Sequence, residues 1–197
     1  MSVRVVIAED EAIIRLDLKE TLEEEGYEVV GETGRGDEAV ALVKEHNPDL
    51  AILDIKMPGL DGLEAAREIA GERRAAVLIL TAFSQRDLIQ QARDAGALAY
   101  LVKPFQKSEL IPAIEVALGR FAEAQALERE VQSLEEQLQT RKVVDRAKGM
   151  LMDQHHLNEN DAFSFIQKTA MRERQTMKAV AEKIIAGELT PPAPASS

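Results

Sequence analysis

Five short apolar runs, each followed by an amphipathic stretch, constrain this 197-residue chain more than any other feature. The runs are "VRVVIA" (3–8), "YEVVGE" (27–32), "DLAILD" (49–54), "AAVLILT" (75–81) and "LAYLV" (98–102). The helical stretches lie near 11–25, 36–46, 62–70, 85–95 and 107–119. Runs one, three and four are apolar on successive residues, which marks strands covered on both faces. Regular strand–helix alternation with such strands predicts an α/β fold, a doubly wound five-stranded parallel sheet joined by right-handed crossovers. In that architecture a ligand sits outside the carboxyl ends of the strands, so chemistry is sought there.

The strand ends carry a coherent set of side chains. Glu9, Asp10 and Glu11 follow the first strand, Asp54 ends the third, Thr81 ends the fourth, and Lys103 with Pro104 follows the fifth. A carboxylate such as Asp54 at the end of a buried strand needs a cation or solvent beside it. Clustered carboxylates suit Mg²⁺, a hard ion that takes oxygen ligands and keeps several waters. Each residue also has a plainer role open to it: Glu11 charges the first turn of a helix, Asp61 with Glu64 forms a capping box, and a lone Thr or Lys is an ordinary surface residue. The ordered occurrence of the set at successive strand ends favours a site.

The motifs "IAEDE", "LDIKMPGLDG", "LTAFS" and "AYLVKPF" resemble the receiver domain of two-component response regulators over residues 1–120. The resemblance implies that a sensor histidine kinase phosphorylates Asp54. Glu9, Asp10, Asp54 and the Lys56 backbone carbonyl would bind Mg²⁺, directly or through water, with Glu9 standing where many members have Asp. It further implies that Thr81 hydrogen-bonds the phosphoryl group, Lys103 pairs with it from a cis Lys103–Pro104 peptide, and the Tyr100 ring reports phosphorylation. Lys56 and Phe83 would flank the path of hydrolytic water, with Phe83 screening the acyl phosphate. Phosphohydrolases of the haloacid dehalogenase type use a similar set, but need a second Asp two residues after the nucleophile, where this chain has Lys56. A nucleotide site is disfavoured because no G-x-x-x-x-G-K-[ST] loop is present.

Past residue 120 the pattern changes. From "EVALGRF" to "MLM" there is no proline and only Gly119 and Gly149, so one long helix is expected. Ala124, Leu127, Val131, Leu134 and Leu138 make an a/d seam of two heptads, suited to a coiled-coil homodimer or to packing within the chain. Segments beginning "VVDRAKG", "NENDAFS" and "TMKAVAE" read as three short helices. Asn158 or Asn160 would cap the second and Thr176 the third, and Gly187 with the Pro-rich tail ends the order. The boundaries read as a receiver at 1–120, a helical linker at 121–141, a three-helix unit at 142–189 and a disordered tail at 190–197.

Charge separates these parts. The net charge is −11, yet residues 140–197 hold nine Lys and Arg against seven Asp and Glu. An acidic chain argues against nonspecific nucleic-acid binding, but less so where the sign reverses. "RAKGMLM", "DAFSFIQKTAM" and "MKAVAEKII" resemble the ANTAR domain, an RNA-binding antitermination output. With the receiver, the whole chain resembles the actinobacterial phosphorylation-dependent transcriptional antitermination regulators. The resemblance implies binding to paired hairpins in nascent transcripts, through Arg146, Lys148 and Gly149 and more weakly Arg172 and Lys178. Small Ala147 and Gly149 either lower the helix surface for RNA or serve helix packing. Phe163 and Phe165, two residues apart, cannot share a helix face, so at least one belongs to a core. His155 and His156 fit a solvated helix end better than a metal site. A response regulator whose output binds DNA or a protein is the alternative. No cysteine is present for disulfides or thiolate metal sites, no signal-like start is seen, and no run approaches the ~20 apolar residues of a membrane span. The expected compartment is the cytoplasm.

Overall fold

The computed structural model describes residues 2–82 and 86–191. Five parallel strands, β1 (Arg4–Ala8), β2 (Glu28–Thr33), β3 (Leu50–Asp54), β4 (Ala76–Thr81) and β5 (Ala99–Val102), form one sheet in the order β2-β1-β3-β4-β5. Helices α1 (Ala12–Glu24), α2 (Gly36–His46), α3 (Gly62–Gly71) and α4 (Arg86–Asp94) connect them, and α5 (Lys107–His155) follows β5. Period-two alternation sends neighbouring strand residues to opposite cores. Val6, Ala51, Leu53, Val77 and Ile79 pack with Val43 of α2, Ile69 of α3 and Ala92 of α4. Val5, Ile7, Ile52, Leu78 and Leu80 pack with Leu18 and Leu22 of α1 and Leu110 and Ile114 of α5. Every residue of β3 and β4 is buried, as their unbroken apolar runs require. Each fully buried Leu or Ile contributes about 1.5–3 kcal/mol.

Two details hold the site end of this sheet. Asp61 caps α3 by accepting from the Glu64 backbone N–H at 2.8 Å. The helix then starts so close to β3 that a Cβ at Gly62 would stand 1.8 Å from the Asp54 carbonyl oxygen. Gly62→Ala therefore has to push α3 off the end of β3, and should destabilise the protein by about 1–3 kcal/mol or more, read as a lower urea midpoint. At the opposite face the Tyr27 hydroxyl donates to Glu115 Oε1 at 2.9 Å. Burial, followed by that carboxylate, pushes the Tyr27 phenol up to about 12. A raised folded-state value means the native protein retains this proton above pH 10 when the unfolded chain loses it. Stability should thus fall between about pH 10 and 12, and Tyr27→Phe should flatten that part of a denaturation-versus-pH curve.

Contacts divide the chain into two compact units, Met1–Ala126 and Leu127–Ser197, and α5 runs through the boundary. The second unit contains the end of α5, α6 (Glu159–Glu173) and α7 (Met177–Ile185) around Val144, Ala147, Leu151, Ile166, Val180 and Ile184. The expected long helix is α5, and it runs on to His155, so its last turns themselves supply the first of the three helices of this unit. Neither Gly119 nor Gly149 adopts a positive φ, and a mid-helix glycine costs only about 1 kcal/mol. The helix stops where His156 takes a left-handed φ of 54°. Asn158 then caps α6 through Asp161 N, and Thr176 caps α7 through Ala179 N. Gly187, at φ 76°, closes α7: its N–H donates to the Ile184 carbonyl and that of Glu188 to the Lys183 carbonyl, the paired bonds of a Schellman end. The tail beyond residue 191, expected to be disordered, lies outside the described residues.

Candidate functional site

Parallel strands place the residues expected to act together at one sheet edge. Lys103, on the cis Lys103–Pro104 peptide after β5, reaches Glu9 Oε2 at 2.6 Å and Asp54 Oδ2 at 3.1 Å. Glu9 and Asp54 are buried, and Asp10 is exposed beside them. Ligand oxygens of all three acids lie within 4.8 Å of one another. The Asp54 carboxylate also accepts from the Ile55 backbone N–H at 2.7 Å, so one of its oxygens is held by backbone and the other by the ammonium.

Electrostatics make this edge short of positive charge. Burial pushes the Glu9 carboxyl up; Lys103 opposes that shift, and nearby Asp54 adds to it. Burial likewise pushes Asp54 up against the opposing pull of Lys103. Burial works against the Lys103 charge, but its bonds to the two carboxylates outweigh this and raise its pKa. Among the described residues, Lys103 forms ion pairs with Glu9 and Asp54, and three clustered carboxylates suit a further cation.

Thr81 is buried at the end of β4, and its backbone carbonyl accepts from Lys103 N at 2.7 Å. Its side chain and that of Tyr100 share a hydrogen bond, while burial raises the Tyr100 phenol. Lys56 is exposed in the turn after β3. Phe83 lies outside the described residues, so the proposed screening of a phosphoryl group by its ring has no structural account. Sequence reasoning missed the tie between Lys103 and Glu9. Its signal is the residue type, because Glu is one methylene longer than Asp and so reaches the ammonium. It also missed Arg15 of α1, whose guanidinium donates to the Glu9 backbone carbonyl.

In the second unit the expected contact residues separate. Two residues apart on α5, Arg146 and Lys148 point about 200° away from one another. Arg146 is exposed; Lys148 is half-buried, 2.9 Å from both Asp145 Oδ1 and Glu159 Oε1. Ala147 is buried in the helical core, which assigns its small size to packing. An added Cβ at Gly149 would meet nothing within 4 Å, so that face of α5 is open. Arg172 is exposed, 3.6 Å from Glu173, and Lys178 is exposed on α7. Phe165 packs on the core, whereas Phe163 is 42% exposed. The heptad positions Leu127 and Leu134 are 63% and 57% exposed, with Val131 and Leu138 also open. No helix of the described residues is long and apolar enough to cross a membrane.

Comparison with known proteins agrees with this division. Residues 5–115 match the family model of the response regulator receiver domain, and residues 132–185 match that of the ANTAR domain. The transcriptional regulatory protein PdtaR of Mycobacterium tuberculosis is 62% identical over 182 residues, covering 92% of this chain and 89% of its own length. The chemotaxis protein CheY of Bacillus subtilis is 39% identical over 120 residues, 60% of this chain and 100% of its own. Among solved structures, the signal receiver domain of the response regulator NarL from Mycobacterium tuberculosis superposes with a TM-score of 0.58 at 32% identity, covering 60% of this chain and 97% of its own. A receiver sheet with its acidic edge, an ANTAR match over the helical unit and near full-length similarity to a transcriptional regulator place this chain among the response regulators that join a receiver domain to an ANTAR output.

Proposed function

We propose that the protein is a cytoplasmic response regulator, phosphorylated on Asp54 by a sensor histidine kinase, whose ANTAR output binds paired hairpins in nascent RNA and causes transcription antitermination. The observation that carries this reading is the Glu9–Lys103–Asp54 cluster in the same chain as an ANTAR unit. An Asp54 oxygen attacks the phosphorus of a phosphohistidine, forming a P–O bond as the P–N bond breaks. Lys103 neutralises the incoming phosphoryl oxygens, and no general base is needed because the nucleophile is already a carboxylate. Thr81 donates to the phosphoryl group, and Tyr100, bonded to Thr81, moves with it. The donor set fits Mg²⁺: three acids converge, two of them buried, and these would hold the ion, with the Lys56 backbone carbonyl proposed as a further oxygen ligand. When bound, Mg²⁺ supplies charge neutralisation at the phosphoryl oxygens.

The domain limits proposed with this function are a receiver at 1–120, a helical linker at 121–141 and the RNA-binding part at 142–189. Of the basic side chains, Arg146 is proposed to contact RNA on one face of α5 beside Gly149, and Lys148 on the other, with Arg172 and Lys178 as lesser contacts. The exposed seam would pair two chains on phosphorylation.

Mg²⁺ should raise the thermal midpoint, EDTA should reverse the gain, and Asp10→Asn should shrink it, since the cation relieves repulsion among acids that burial leaves under-neutralised. A midpoint indifferent to Mg²⁺ would remove the metal from the proposal. The function itself is tested by gel shift with two-hairpin RNA against duplex DNA at matched salt, using the phosphorylated protein. Preference for the RNA is expected, and equal or stronger binding to duplex would overturn the RNA reading.

A further inference from the structure

A groove of about 580 Å³ lies in the helical unit between α5 and the starts of α6 and α7. Its volume falls within the range of roughly 300–1,000 Å³ typical of small-ligand sites. Phe163 and Met177 supply its apolar surface, and Gln137 and Thr140 supply hydrogen-bonding groups from α5. Phe163 is 42% exposed although its neighbour Phe165 takes the core position, so an aromatic ring is left uncovered where the fold has no need of it. Among the described residues Gln137 holds a long 3.4 Å bond, donated to Ser133 Oγ, which it can readily give up.

Charge decides the kind of occupant. Arg141 and Lys148 are on the lining, but so are Glu136 and Asp145, and Lys148 is already ion-paired to Asp145 and Glu159. With positive and negative side chains in balance, the groove is poorly suited to a phosphate. It suits an uncharged planar heterocycle that stacks on an aromatic face and offers a hydrogen-bonding edge. Sequence-specific proteins read unpaired RNA in this manner, with splayed bases stacked on aromatic rings and bonded along their edges.

We infer that this groove receives one unpaired base of the RNA hairpin loop, stacked on Phe163 and read by Gln137 and Thr140. The phosphates run outside it, toward cations such as Arg146 on the far side of α5. The inference rests on the RNA-binding reading above and adds where, and by what chemistry, a base is recognised.

The chain contains no tryptophan, so Phe163→Trp introduces a single selectively excited fluorophore at the groove. Titration of that full-length, phosphorylated variant with two-hairpin RNA should quench its emission, and the same RNA with abasic loop positions should not. Phe163→Ala should lose roughly 5- to 150-fold in affinity, the range for removing one base-stacking aromatic. Its log–log salt slope should be unchanged, because no phosphate contact is lost, whereas Arg146→Ala should reduce the slope by about 0.7. Gln137→Ala, at an exposed helix position, gives a second affinity test that leaves the core untouched. Failure of the wild type to bind the RNA would sink the RNA reading and this inference with it. Wild-type binding with unchanged affinity in Phe163→Ala and no quenching in Phe163→Trp would overturn the groove alone. Emission that shifts with protein concentration in the absence of RNA would assign the groove to a second copy of the chain instead.

Discussion

Asp54→Asn should abolish phosphoryl transfer from the partner kinase while leaving the receiver folded. The amide oxygen is a poor nucleophile and carries no formal charge to hold a divalent cation, so both the bond-forming atom and part of the metal site are lost. The fold should survive because Lys103 retains Glu9, its shorter ion pair, when Asp54 becomes neutral. Removing a carboxylate whose ionised form burial disfavours should leave the thermal midpoint without Mg²⁺ level or slightly higher. Radiolabel transfer and thermal melts on one preparation separate lost chemistry from lost structure. Labelling at the wild-type rate would require a different acceptor.

Replacing Leu134 and Leu138 together with Gln should cost the unphosphorylated protein little, because both side chains already face solvent. In the phosphorylated protein the effect should be large. Two outputs joined through the seam engage two hairpins with an advantage of about 10²–10⁴ from effective concentration, with no new contact at either site. The double variant should therefore lose most of the phosphorylation-dependent gain on two-hairpin RNA and keep wild-type affinity for a single hairpin. Sedimentation of the phosphorylated wild type alongside the titration completes the test. A strictly monomeric protein that still binds two hairpins tightly would replace pairing with exposure of contact residues inside one chain.

The sheet was legible because its inner strands are unbroken apolar runs. β3 and β4 start within one residue of the positions read from sequence, and α2 spans 36–46 in both. Strand-end acids, Thr81 and Lys103 were legible as a group because parallel topology collects strand ends at one edge. The choice Lys103 makes between carboxylates was not, because it turns on one methylene and on loop geometry. Arg146 and Lys148 were grouped by motif although helical period alone separates them. Phe163 and Phe165 were correctly set on different faces, but which one meets the core depends on where α5 lies against α6. Gln137, Thr140 and Arg141 went unseen because the sequence was divided near residue 141, inside a helix that continues through it.

That continuity also limits how such a chain can be recombined. The helical unit has no first helix of its own; it borrows the last turns of the helix that closes the sheet. Domains joined by a loop can be exchanged with little regard to linker length. Here each inserted or deleted residue advances the helix by about 100°, so one residue moves everything downstream to another azimuth and seven nearly restore it. The junction accordingly has a grammar of phase rather than of length. Insertions of seven residues between 124 and 140 should keep the exposed stripe of Leu127, Val131, Leu134 and Leu138 in line along α5, where insertions of two or five should break it.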